Sequence, residues 1–561
     1  MSDAVWERPP AGREPAGAAL LSWMADPQAP RLCTVTGGAG TGKSQLLAWL
    51  IAHGTRPGTP VNRRVHGFVP LTGQTALTTS LMLAQQLSIA ARTPGELVAA
   101  LSDDARRTLI VLPDLHAADS LKEVTELVQR LLELDQVRLI VECRSDTAPQ
   151  LGARPAAVMN LDDPQWTDTA RHSAWAASQA RQPITADQAQ QASAPVGAVD
   201  LSDPAAVCAA AEPWSVTARY ERSGEAHGGL RAAWLRAGAS LIRDQEPTDR
   251  ALVLHAALGD DADPRLEGEL SALAGDAAWR VRWSRVRGDF TPPWPGPARA
   301  LAAGRGHLSG ALVVADHQDT VRLLKGADAT AVGRLPQPVA QPRAVAVRPD
   351  GTALLLDVHG HLHVQRGVSA PKPTGIAALL DTEPSLEERL LDAVGNRLKG
   401  VPATALACCE TVIAVGDTEG AVLGFFAEEG GWSPRSVPLH EGAVTALAVV
   451  DLPDAHADAA VPLLYSGGAD GRVRAWRTDA EPLPTAVAAR RAPVTSLAVG
   501  HTDVGLALAI GWSDGLVEHR FLETAAVRTF RPGASVSALA LLSDGGLVVG
   551  TDEALLCLQA V

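Results

Sequence analysis

Between residues 28 and 150 the hydrophobic pattern switches repeatedly between continuous apolar runs and helical spacing. Residues 31–36 read as a strand that runs into a glycine-rich turn. Residues 43–53 then read as a helix, with Leu46, Leu47, Leu50 and Ile51 on one face and Gly54 as its stop. A second strand is expected at 65–71, followed by a helix carrying Leu77, Leu81, Ala84 and Leu87. The run 108–112 is apolar almost throughout, as a strand covered on both faces requires. Leu121, Val124, Leu127 and Leu131 mark the next helix, and 137–141 the next strand. Strands alternating with helices predict a parallel α/β sheet.

From 151 to 278 the pattern is helical but interrupted. Leu230, Trp234, Ala237 and Leu241 repeat at helical spacing, and 251–258 is a further apolar stretch. Residues 179–204, rich in Ala, Gln and Pro, read as a linker or loose helix. Further on, short alternating strands recur about every 40 to 50 residues. Val444, Val494 and Val536 open comparable segments, with turns at Asp470-Gly471, Ser513-Asp514-Gly515 and Thr551-Asp552-Glu553. Looser copies surround Asp319, Val358 and Thr418. Such a period predicts the stacked blades of a propeller, because one four-stranded unit cannot bury both of its faces alone. About six units can be placed between 298 and 561, with a helical insertion at 384–399. The last unit stops at its third strand, and the strand-like segment 279–287 is expected to supply the fourth.

Composition narrows the classes. Of 561 residues, 46% are hydrophobic and 20% charged, as in an ordinary globular protein. The net charge of −14 argues against an open nucleic-acid surface, since that needs a basic stripe. There is no apolar run long enough to span a membrane. The N-terminus lacks the pattern of a signal peptide, and the six cysteines include no C-x-x-C pair. A reducing, cytoplasmic setting is expected.

The sharpest chemistry lies in the turn after the first strand. Gly37, Gly38, Ala39, Gly40, Thr41, Gly42, Lys43 and Ser44 fit G-x-x-x-x-G-K-[ST] in full. Glycines let the backbone N–H groups converge on phosphate oxygens, and Lys43 brings a point charge to the β and γ phosphates. The Ser44 hydroxyl can hold Mg²⁺, and the helix that starts there, with Gln45 in its first turn, points its positive end at the anion. The expected ligands are therefore ATP and Mg²⁺. Asp114, behind Pro113 at the end of the 108–112 strand, is the nearest carboxylate. It reads either as a Mg²⁺ or water ligand or as a solvated loop aspartate. No glutamate follows it to polarise an attacking water. His116 reads as a loop or packing histidine rather than a base. Arg144, past the 137–141 strand, reads either as a γ-phosphate sensor or as a surface ion pair.

These residues resemble a family. The glycine-rich loop, the segment Asp114-Leu115-His116-Ala117-Ala118-Asp119 and the run Leu139-Ile140-Val141-Glu142-Cys143-Arg144 are similar to signal-transduction ATPases with numerous domains. That is the AAA-related group containing the NACHT and apoptotic NTPases, and the likeness covers residues 12–150. It implies that Pro113 stands where the family has its Mg²⁺ aspartate, that Asp114 matches the second acidic position and that Arg144 matches the first sensor arginine. It also implies homo-oligomerisation on activation. The C-terminal region resembles a WD-repeat propeller, best at His440-Glu441-Gly442 and Ser466 to Trp476. In that family the matching His, Ser, Asp and Trp form a structural hydrogen-bond chain, so His440, Ser466 and Asp470 are not read as a hydrolase triad.

The expected fold is therefore multidomain. It has an α/β P-loop NTPase domain over 1–150, a small helical transmission region over 151–278, and an all-β propeller of about six or seven blades over 279–561. The expected function is an ATP-binding regulatory switch whose propeller binds a protein partner, with at most slow ATPase turnover. The alternative is a nucleotide-binding scaffold with little or no hydrolysis. A dedicated small-molecule kinase lacks any further acid–base constellation.

Overall fold

The computed structural model describes residues 7–144, 151, 155–179, 199–286, 298–365, 386–428, 431–452, 460–503 and 505–561. The chain forms two compact units, residues 1–201 with 210–224 and residues 202–209 with 225–561.

The first unit is built on five parallel strands: β1 (Leu32–Thr36), β2 (Gly67–Phe68), β3 (Thr108–Leu112), β4 (Val137–Glu142) and β5 (Ala156–Asn160). Their order across the sheet is β2-β3-β4-β1-β5. Parallel neighbours need long crossovers, and helices supply them on both faces. Successive strand residues point to opposite sides. Cys33, Val35, Leu109, Val111 and Ile140 pack on Leu20 of α1 (Glu14–Ala25) and on Leu46 and Leu50 of α2 (Lys43–Gly54). Leu32, Ile110, Leu112, Leu139 and Val141 pack on Leu83 of α3 (Ala76–Leu87), Leu97 of α4 (Pro94–Ser102) and Leu127 of α5 (Leu121–Leu131).

Three details depart from the pattern-based expectation. β2 is only two residues long, yet His66, Val69 and Leu71 still donate backbone hydrogen bonds along the β3 side, to Leu109, Val111 and Pro113. β5 lies beyond residue 150. It is an edge strand with Val158 exposed, so no continuous apolar run announces it. The helical stretch is shared between the units: the helix Pro213–Arg222 belongs to the first, where Tyr220 donates to Leu201 O at 2.6 Å and Arg222 pairs with Asp119 at 2.6 Å. Most of the expected linker, residues 180–198, lies outside the described residues.

The second unit holds the helices Leu230–Leu241, Pro247–Ala256 and Pro264–Leu273 and a six-blade β-propeller. Its blades span 298–334, 342–365, 403–438, 444–489, 494–530 and 538–560, and the last is completed by β6 (Trp279–Val286). β6 runs antiparallel to Ala554–Ala560, so a segment from before the first blade closes the ring, as the sequence led us to expect. Trp283 is buried there and donates to Gly326 O of the first blade at 3.0 Å. Apolar clusters fill the seams between successive blades. A glycine often opens the seam: a Cβ on Gly467 would lie 2.4 Å from Val494 Cγ1, the first residue of the next inner strand. The expected insertion is a helix, Leu386–Leu398, whose Leu390, Leu391 and Val394 join the second seam. Among the described residues, no helix is long and apolar enough to cross a membrane.

Candidate functional site

Residues 37–44 connect β1 to α2 at the carboxyl end of the parallel sheet, the edge where ligands of such sheets collect. Gly40 and Gly42 adopt φ of 77° and 85°, which a side chain would strain, and Gly42 is the N-cap of α2. The turn therefore presents its amides at a helix N-terminus, an arrangement suited to anions. Lys43 is buried, and its Nζ donates to Gly37 O at 2.9 Å and Gly38 O at 2.8 Å, so the ammonium lies inside the curl of the loop. Ser44 and Gln45 are exposed at the start of α2.

Two residues that the sequence did not single out brace this loop. The buried Arg13 guanidinium, just before α1, donates to Thr41 O and to Leu161 O. Burial lowers its pKa, and the Asp162 carboxylate partly restores it. Asp162, just past β5, accepts the Gly38 N–H at 3.0 Å through either carboxylate oxygen. One carboxylate and one guanidinium thus grip the loop from the β5 side.

The acidic side of the site is arranged differently from the sequence reading. Asp114 is half-buried, just past β3, with a left-handed backbone (φ 58°) that caps the short turn Leu115–Ala117. His116 sits half-buried in that turn. The carboxylate beside the Ser44 hydroxyl is Glu142, the last residue of β4 and the register partner of Val35 in β1. The Ser44 hydroxyl lies 3.4 Å from Glu142 Oε1, while Oε2 is buried and has no hydrogen-bond partner among the described residues. Burial and the neighbouring Asp114 carboxylate push the Glu142 carboxyl up to about 7, against the opposing pull of Lys43 and Ser44. Two acids, a lysine and a serine hydroxyl therefore meet at the mouth of one glycine-rich loop. Arg144 follows, exposed, two residues beyond Glu142.

Sequence order hides Glu142, because no glutamate stands directly after Asp114 in the chain. The neighbouring strand supplies it instead. One signal was present: a lone charge at the end of the apolar run Leu139-Ile140-Val141.

In the propeller, His440 Nδ1 lies 3.0 Å from Asp470 Oδ1 and Nε2 lies 2.8 Å from Ser466 Oγ. Ser466 is fully buried, so this triad joins strands and cannot meet a substrate. The Trp476 indole donates elsewhere, to Ala480 O at 3.0 Å, so the expected four-residue chain stops at three. No protein-family model matches the chain, and no curated protein matches it.

Proposed function

We propose that this protein is an ATP-binding regulatory switch, in which the first unit binds Mg²⁺–nucleotide and the propeller recognises a protein partner. The observation that carries the reading is the convergence of Lys43, Ser44, Asp114 and Glu142 on the loop 37–44. The loop amides and Lys43 would hold the phosphates. Ser44, Glu142 and Asp114 offer the hard oxygen donors that Mg²⁺ takes, and the unpartnered buried Oε2 of Glu142 fits a ligand to the ion or to its water. Bound Mg²⁺ would offset phosphate charge, and Arg13 and Asp162 would keep the loop in its receptive shape. The propeller suits partner recognition because its loops present many side chains on a rigid frame. Gain or loss of the γ phosphate would then bias the protein between two states.

Pro113 favours the second reading, a scaffold that turns nucleotide over negligibly, because a proline stands directly after β3, where the resemblance implies the Mg²⁺ aspartate, and Asp114 comes one place later. Steady-state phosphate release separates the two. The switch predicts ATP turnover above that of a Lys43→Ala control, together with different protease-cleavage patterns in ATP and ADP. Turnover equal to the control favours the scaffold, and cleavage patterns indifferent to nucleotide rule out the switch. A cytoplasmic site of action is part of the proposal.

A further inference from the structure

The six inner strands of the propeller repeat one short pattern: Ala298-Arg-Ala-Leu, Pro342-Arg-Ala-Val, Ala403-Thr-Ala-Leu, Val444-Thr-Ala-Leu, Val494-Thr-Ser-Leu and Val536-Ser-Ala-Leu. In the first five the second residue sits at a register shift that turns it out of the ladder. All six second residues line one axial cavity of about 380 Å³, above a ring of Leu and Val.

In four blades this position is Thr or Ser, and most of these hydroxyls are used within the propeller. Thr404 donates to Val444 O of the next blade at 2.5 Å, Ser537 to Gly550 O at 3.0 Å, and Thr445 to Gly467 O at 3.1 Å. The first two blades, which are neighbours, carry Arg299 and Arg343 instead. Both are exposed, and neither has a hydrogen-bond or ion-pair partner among the described residues. No carboxylate is among the residues lining the cavity. In a chain of net charge −14, two unneutralised guanidiniums beside one axial cavity are not a packing solution, because the hydroxyls elsewhere in the ring already provide one.

We propose that this end of the axial cavity binds a phosphate monoester carried on a side chain of a protein partner, held by Arg299 and Arg343. A phosphate monoester carries close to two negative charges and three acceptor oxygens, enough for two guanidinium forks on separate blades. A carboxylate is satisfied by one fork. The cavity admits a side chain and not a folded domain. This site does not depend on the nucleotide reading, so the test is made on the full chain carrying Lys43→Ala.

Fluorescence anisotropy with a pool of phosphoserine peptides of degenerate flanks should show saturable binding. The same pool with Ser or Glu at the central position should bind at least tenfold more weakly. Arg299→Ala and Arg343→Ala should each weaken the phosphopeptide pool on the order of tenfold with an unchanged melting temperature, and Arg343→Lys should restore part of the loss. On the chain with both arginines intact, excess inorganic phosphate should displace the peptide. No saturable binding, equal binding of the phosphorylated and Ser pools, or retention of the peptide in excess phosphate would each overturn the proposal. Affinity unchanged by both substitutions in folded protein would do so as well.

Discussion

Glu142 is the residue on which the chemistry proposed for the first unit turns. It ends a buried strand beside Ser44, and its neighbours are Asp114 and Lys43. If it serves the metal side of a nucleotide site, Glu142→Gln should weaken ATP binding on the order of tenfold in Mg²⁺ and leave binding in EDTA nearly unchanged. Equal effects in both buffers, measured by titration calorimetry, would mean a packing role only. A second residue-scale prediction concerns His519. Its ring is almost fully buried between Trp279 and Phe521, and neither nitrogen has a hydrogen-bond partner among the described residues. Burial, helped by Arg528, lowers its pKa from 6.5 to about 4. Between pH 6.5 and 4 the unfolded chain therefore takes up a proton that the folded chain refuses. Stability is fully present above 6.5 and falls on acidification, by at most about 3 kcal/mol from this one group. Melting curves of His519→Leu should lose much of that acid sensitivity. A pH profile identical to that of the parent chain would contradict the assignment.

Among the elements, β6 carries the most consequence for its length. It is distant in sequence from the strand it pairs with, and it closes the ring by covering the free edge of Ala554–Ala560. Trp283→Ala removes a buried indole and its bond to Gly326, which should cost about 3–5 kcal/mol and lower the propeller melting temperature by roughly 10 °C. The seam glycines make a complementary prediction. Gly467→Ala drives a methyl into Val494 and should cost about 1–3 kcal/mol in denaturant titrations, whereas Gly395→Ala, with open space around it, should not be destabilising through a clash. Comparable destabilisation of the two variants would refute the packing argument.

For the whole molecule, two compact units are described, and the sequence made their architectures legible to different degrees. The sheet and propeller were readable because their periodicities are strong: runs such as Ile110 to Leu112 need cover on both faces, and the Val444, Val494 and Val536 segments repeat one pattern. β6 was readable because Trp279 to Val286 alternates clearly and the last blade lacked a strand. β5 was not, since an edge strand needs apolar residues on only part of its length. The glycine-rich loop was legible as a local motif, but its surroundings were not. Arg13, Asp162 and Glu142 reach the loop from three separate elements, and only strand order and register show which residues become its neighbours.

If residues 37–44 bind a nucleoside triphosphate, titration calorimetry of the full chain with ATP and Mg²⁺ will register it. Binding should be saturable and one-to-one, and weaken roughly ten- to a hundredfold in Lys43→Ala through the loss of one charge-assisted contact. No saturable heat, or equal affinity in the parent chain and Lys43→Ala, would contradict it.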